Sequence, residues 1–272
     1  MGANRWIGTE AIRGDMGWST FEERLFKGKL KYKIRLEKME ELRWAKNMYQ
    51  ESGVKSRWNM NCVRIANKCG FFRKWVTSGN EREWELSLYL GDTNDYCERK
   101  WKLIINNKVK EFGLLKWKEG IEKKSSLKLY SNKTTPRKEI FFNGNWGSSL
   151  LFKARSNSLE INDRTYRFND SRGKRCNMCR LNVNETVEHI IIECPAYEQG
   201  RDRAMRDYKK FLGESKFREI ISADDNGVGF LFGLVEGAPS QVVEITKYLL
   251  CCIWGIRELA TTTSFQLPAI QG

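Results

Sequence analysis

Histidine is almost absent from this chain of 272 residues: there is one, His189. Imidazole is the side chain best matched to proton transfer near neutral pH, so any histidine-based mechanism would depend on that single residue. Proline is scarce as well, with four residues, while ten tryptophans favour helices packed through large aromatics. No apolar run reaches the ~18 residues of a membrane-spanning helix. The opening MGANRWIGTEAIRGD has no apolar signal segment, and Trp6 stands where a myristoylation signal needs Ser or Thr. Neither G-x-x-x-x-G-K-[ST] nor G-x-G-x-x-G occurs, which removes the common phosphate-cradling loops. An intracellular protein, nuclear or cytoplasmic, with reduced thiols is the expectation.

Acidic residues are in short supply over most of the chain. The net charge is +14, but residues 1–180 carry 39 Lys and Arg against 21 Asp and Glu, and residues 181–272 carry 9 against 13. A positive field confined to one stretch suits a polyanion, RNA or DNA. The window 101–140 has 11 cations and 4 acids, with Trp101, Phe112, Trp117 and Tyr130 among them. Such interleaving suits backbone binding with base stacking, although Trp101 and Phe112 read better as core. Lys27, Lys29, Lys31, Lys33 and Arg35 alternate with other residues, so on a helix they spread around the surface, with an exposed side suited to phosphates.

The lone histidine sits inside RCNMCRLNVNETVEHIIIECPAY, where Cys176, Cys179, His189 and Cys194 read C-x2-C-x9-H-x4-C. Cys-x-x-Cys puts two thiolates on one tight turn, and three thiolates with an imidazole close a tetrahedron, leaving no position for water. That is a structural site for one zinc ion rather than a catalytic one. His189 and Cys194 are five residues apart, about 140° around an ideal helix, so the helix carrying His189 must end or distort before Cys194. Pro195 supplies a reason, since it pushes the residue before it out of the α region. Thr186 is placed to cap the helix start, and Ile190, Ile191 and Ile192 give the module an apolar face. The other cysteines, Cys62, Cys69, Cys97, Cys251 and Cys252, read as structural or surface thiols. The basic run Arg164, Arg167, Arg172, Lys174 and Arg175, leading into the metal turn, gives the candidate phosphate contacts.

The rest of the chain reads as mainly α: a helical bundle-like array around the small zinc module. Ser19 and Glu22 form a capping box opening a helical stretch to about Gln50. A second helix spans about Val54–Val76, and Glu81–Leu90 is a short helical piece closed by Gly91. Two helices lie in 99–130, and SNKTTPRK (131–138) is the clearest linker. NWGSSLLFKARSNSLEIND reads as a helix with Leu150, Leu151, Ala154 and Leu159 inward and Lys153 and Arg155 outward. A helix after Pro195 ends near Gly213, and an apolar helix after Pro239 packs on the zinc module. The domains follow: a basic helical region over 1–135, a thumb-like helix with the zinc module over 136–213, a C-terminal helical cap over 214–260 and a loose tail over 261–272. Asp224-Asp225 after Ser222-Ala223 has the look of a polymerase metal turn but lacks a second upstream carboxylate strand, and reads as a surface turn.

Several of these segments resemble, in order, the region after the polymerase palm in LINE-type, non-LTR retrotransposon reverse transcriptases. CNMC…ETVEHIIIECPAYEQGRDR is similar to that family's zinc-binding segment. GTEAIRGDMGWSTFEERLFKGKLKYKIRLEKM, KKSSLKLY and ARSNSLEINDRTYRF look like its other post-palm elements. The resemblance spans most of residues 9–210 and implies Cys176, Cys179, His189 and Cys194 as ligands and Arg155 as a template contact. Ser156 and Asn157 depart from the Thr-Gly that follows this Arg in many relatives. The fingers and palm with the catalytic aspartates would precede Met1. The chain is therefore expected to be no enzyme by itself, but a zinc-stabilised accessory region binding RNA or DNA, with a palm supplied upstream or in trans. The alternatives are a zinc-locked protein-interaction scaffold and a non-functional retrotransposon fragment.

Overall fold

A computed structural model describes residues 7–53, 56–71, 98–166 and 173–264, with only the backbone described at 98, 224–226 and 261–264. The fold is mainly helical, and among the described residues the β pairing consists of isolated bridges at Met16–Lys138 and Arg175–Asn184. The chain divides into two compact units, one of residues 19–119 and one of residues 1–18 with 120–272. The expected boundary at 135 thus falls inside the second of these.

In the unit of residues 19–119, helix α2 (Phe21–Glu37) opens on a capping box one residue later than Ser19 and Glu22 would place it. Glu23 N donates to Thr20 Oγ1 at 3.1 Å, and Thr20 N donates to Glu23 Oε1 at 3.3 Å. Glu22 is left for Lys116, whose Nζ lies 2.6 Å from its Oε2. The expected single helical stretch to Gln50 breaks at Lys38–Arg43 before α3 (Trp44–Glu51). Helix α4 (Arg57–Lys68) is capped by Ser56, whose hydroxyl accepts from Asn59 N. Helix α5 (Glu98–Glu122) is continuous through most of the region where two helices were expected.

The core of this unit follows from helical spacing. Phe26, Leu30 and Ile34 on α2 meet Ile65, Ala66 and Cys69 at the end of α4, and Trp101, Ile105 and Val109 on α5. Each set recurs every three or four residues, so each helix turns one apolar stripe inward. Trp101 is core, as expected. The short piece at Glu81–Leu90, the end of the second helix beyond Phe71, and Cys97 lie outside the described residues.

The other unit begins with α1 (Thr9–Met16), which ends on Gly17 in the left-handed conformation, φ 64°. A Cβ there would lie 2.7 Å from the backbone nitrogen of Lys138, so close approach as well as backbone angle demands glycine. The approach has a cause: Arg137 N donates to Gly14 O and Glu139 N to Asp15 O, so part of the expected linker lies against the end of α1. A 3-10 helix (Ser125–Asn132), α6 (Trp146–Arg155) and the single turn α7 (Asn162–Thr165) follow.

Leu150, Leu151, Ala154 and Leu159 are buried, as expected, but Arg155 is not outward: it is 0 % exposed. Its Nη2 donates to Asp15 Oδ1 at 2.7 Å and lies 3.8 Å from Glu139 Oε1. Lys133 Nζ reaches Asp15 Oδ1 at 3.2 Å and also holds Glu139, while the Tyr130 hydroxyl donates to Asp15 Oδ2 at 2.7 Å. Rings of Tyr130, Phe141 and Phe142 surround the Arg155 guanidinium at 5.3–5.6 Å. Two cations and two carboxylates thus balance in a place almost closed to water. Burial and the Asp15 carboxylate hold the Tyr130 hydroxyl well above the usual phenol range, so it stays a donor.

Beyond the metal module, described below, a 3-10 turn (Pro195–Tyr197) leads into α8 (Glu198–Leu212), ended by Gly213 as expected. Helices α9 (Glu214–Ile221) and α10 (Asp224–Leu231) flank the Ser222-Ala223 turn. The last helix, α11 (Ser240–Ser264), packs on α6 and α8. It runs past residue 261, where the tail was expected to begin, and residues 265–272 lie outside the described set. Gly147 on α6 allows the approach, since a Cβ would stand 3.1 Å from Lys247 Cβ. Val242, Val243, Leu249, Leu250 and Ile253 of α11 are fully buried, and Tyr208 OH pairs with Thr246 Oγ1 at 2.8 Å. None of the helices among the described residues is long and apolar enough to cross a membrane.

Candidate metal centre and basic loop

Two local devices bring the four ligands together. The first is a narrow loop closed by paired backbone bonds: Cys176 N donates to Val183 O and Glu185 N to Lys174 O, both at 2.8 Å. Asn182 takes a left-handed φ of 58° within it, a conformation Asn tolerates better than most residues. The second device is the distortion that the five-residue separation of His189 and Cys194 requires. Thr186 Oγ1 accepts from His189 N at 3.1 Å, and the chain then makes a π turn over His189–Glu193. Cys194 N donates to His189 O at 2.7 Å, across five residues instead of four. The wider turn carries Cys194 round to the histidine, and the extended Cys194 backbone, φ −61° and ψ 118°, precedes Pro195 as that proline demands.

The ligand atoms of Cys176, Cys179, His189 and Cys194 all lie within 4.8 Å of one another and could hold a metal ion. Cys176 Sγ and Cys194 Sγ are 3.9 Å apart, and Cys179 Sγ is 3.5 Å from His189 Nε2. A tetrahedral ion with sulfurs at ~2.3 Å and nitrogen at ~2.0 Å has S–S and S–N edges of about 3.8 and 3.5 Å. The donor set therefore fits. Burial, reinforced by the neighbouring Cys176 sulfur, pushes the Cys194 thiol up to about 12, and burial likewise raises Cys176. Sulfurs this close resist ionising together unless a cation lies between them.

With Nε2 facing Cys179, Nδ1 of His189 is turned to Glu193 Oε2 at 3.3 Å. A carboxylate there fixes the tautomer in which Nδ1 carries the hydrogen and Nε2 is free to bind metal. Glu193→Ala should lower metal affinity about tenfold, the lower end of the usual range because this carboxylate is exposed. Competition with a chromogenic chelator measures it, and an unchanged affinity would rule out the orienting role.

Glu185 ties the centre to the rest of its unit. It is 1 % exposed; its Oε2 accepts from Asn162 N at 2.7 Å, and its Oε1 lies 3.8 Å from Cys176 Sγ. Arg257 of α11 clasps the same carboxylate, donates to Tyr197 OH at 3.1 Å and lies over the Trp254 ring. Ile190 and Ile191 are fully buried. The expected packing of the last helix on the metal module is thus present, made by an ion pair as well as by apolar contact.

The expected nucleic-acid contacts fare unevenly. Lys174 and Arg175 are exposed on the metal loop, with Lys174 Nζ 4.7 Å from the Tyr166 ring centroid. Arg164, half-buried, donates to Ser158 O. Arg155 has to be withdrawn as a phosphate contact, because it is sealed in the ion network with Asp15. Arg167 and Arg172 lie outside the described residues. The structure adds Arg180, exposed beside Cys179, with Leu181 and Val183 exposed next to it. Its adjacency to the Cys-x-x-Cys turn was the sequence signal for it. Glu185 and Arg257 gave no such signal, being 72 residues apart.

No protein-family profile, no curated protein and no solved structure matches this chain.

Proposed function

We propose that this chain is a zinc-stabilised nucleic-acid-binding accessory region of a LINE-type reverse transcriptase, with polymerisation chemistry supplied by a palm outside these residues. The observation that carries it is the exposed Lys174, Arg175 and Arg180 on the loop that also bears Cys176 and Cys179. Cations on a loop fixed by metal are held in place for phosphates at little further entropic cost. Zinc is the metal that three thiolates and one imidazole in a tetrahedron select best. It would be held by Cys176, Cys179, His189 and Cys194 and would supply rigidity, with no open position for catalysis.

The segments carrying the resemblance give further support by meeting at one point. Asp15 belongs to AIRGDMGW, Tyr130 to KKSSLKLY and Arg155 to ARSNS, and the three side chains share one buried network. Asn157, where relatives carry glycine, has φ 46°, so the position asks for the left-handed conformation that Gly supplies and Asn accepts. Ser156 Oγ bonds to Phe152 O at 2.7 Å, a bond a threonine would also make.

Titration of single-stranded RNA and duplex DNA across a salt series tests the reading. The triple variant Lys174→Gln, Arg175→Gln, Arg180→Gln should weaken binding and reduce the slope of log affinity against log salt by about 2–3, at roughly 0.7–0.9 per lost phosphate contact. An unchanged slope would refute this interface. The exposed Leu181 and Val183 favour a second reading, a protein-docking tip. RNA affinity that vanishes near ~0.15 M salt, where screening acts beyond about 8 Å, would favour that scaffold role.

A further inference from the structure

The unit of residues 19–119 holds a cavity that the metal centre does not use. Its volume is about 290 Å³, and it is bordered by α2, the turn after it and the start of α5. Lys31 and Arg35 line it from one face of α2, at i and i+4 spacing, and Lys38 joins them just past the end of the helix. Arg43 and Lys102 also line it, and among the described lining residues the carboxylate is Glu40, whose Oε2 is 4.0 Å from Arg43 Nε. The cations of α2 were expected to spread around the helix rather than form a strip. Lys33 turns to Tyr49 and Glu37, while Lys31 and Arg35 share this cavity.

Lys31 and Arg35, one turn apart on α2 beside a low-dielectric wall, focus a positive potential into the concavity, which an anion relieves. Part of the wall is apolar: Ile34, Trp101 and Ile105 line the cavity and belong to the buried core. Clustered cations beside an indole and two branched aliphatic side chains match a phosphate joined to a planar base. The size, at the small end of the roughly 300–1,000 Å³ typical of ligand sites, suits one such unit rather than a length of duplex.

We propose that this cavity is a nucleotide pocket, taking one phosphate-bearing nucleotide with its phosphate among the cations and its base toward the Trp101 wall. The ligand is either a free mononucleotide or the phosphorylated end of a strand. The proposal rests on the nucleic-acid reading only for its choice of ligand and shares no residue with the metal loop.

Calorimetric titration of the full, metal-loaded chain with AMP, adenosine, inorganic phosphate, and a single-stranded RNA decamer with and without a 5′-phosphate tests it. Either AMP or the phosphorylated decamer should bind at least about tenfold more tightly than phosphate, and AMP more tightly than adenosine. Arg35→Gln with Lys31→Gln should weaken that binding about tenfold, whereas Arg24→Gln with Lys27→Gln, an equal charge change outside the cavity, should alter it less than about twofold. The removed side chains are exposed or half-buried, so equal melting temperatures verify the fold. A decamer that outbinds AMP and loses the advantage with its phosphate identifies a strand end; equal binding of AMP and decamer identifies a mononucleotide. Binding by neither above the level of phosphate, or binding indifferent to Arg35→Gln with Lys31→Gln, overturns the pocket. Lys174→Gln with Arg175→Gln should leave AMP binding unchanged, so failure of the loop and failure of the pocket are separable.

Discussion

Removing the metal should unfold residues 173–197 and release the fastening of α11 at Arg257, while the core of residues 19–119 persists. Structural zinc sites contribute on the order of 10–16 kcal/mol in peptides at neutral pH, as much as the ~5–15 kcal/mol that holds a whole domain together. The loop has little else to stand on. Asn177, Arg180, Leu181, Val183 and Asn184 are exposed, and without the ion the buried Cys176 and Cys194 would stand as neutral thiols joined by no more than a weak contact. Phe26, Leu30, Ile65 and Trp101, by contrast, form a core that includes none of the four ligands. Hydrogen exchange with and without chelator should show the amides of Cys176, Glu185, Ile190 and Cys194 losing protection, and those of Leu30, Ile65 and Ile105 keeping theirs. Native mass spectrometry should count one zinc per chain. A reduced, metal-free sample with the same protection around Cys194 would disprove the structural role, and Cys194→Ser should reproduce the effect of chelation.

The second large effect concerns the buried ion network. Breaking a buried pair from one side typically costs ~3–5 kcal/mol, because the remaining charge keeps its desolvation and loses its partner. Arg155→Met should do this to Asp15 and Glu139, leaving Lys133 as their buried cation, and Asp15→Asn should do it to Arg155. Each should lower the melting temperature of its unit by roughly 10 °C. A double-mutant cycle of Arg155→Met with Asp15→Leu should recover part of the loss, since removing both partners removes the stranded charge. A single-variant shift under about 2 °C would mean that water reaches the guanidinium and that the network is not closed. Weakened RNA binding in Arg155→Met at a temperature where the variant is fully folded would restore Arg155 as a contact.

The candidate metal ligands were legible because their chemistry is local: four residues of rare type within one short stretch, with a spacing that forbids a regular helix. The same stretch announced its own distortion, and the π turn is what that spacing produces. Arg155 was misread for the opposite reason. Its position, four residues after Leu151 and next to Ala154, lies on the buried face, but a guanidinium there reads as outward unless its partner is known. That partner, Asp15, is 140 residues away. SNKTTPRK reads as a linker by composition, yet Lys133 is 5 % exposed and bonded to Asp15, which composition cannot reveal. The capping box was displaced by one residue because Ser19 and Thr20 both stand three before a glutamate; Thr20 and Glu23 form the box, and Glu22 pairs with Lys116, 94 residues on. Local patterns were readable, and long-range charge pairing was not.

Glu185 serves the metal loop and the last helix at once, and this makes them thermodynamic partners. Whatever free energy a bound ion would contribute to seating Arg257 must return, in equal measure, as metal affinity conferred by the seated helix. The hold of the centre on an ion would therefore be a property shared with α11, and a change in that helix far from any ligand would reach the metal through Glu185.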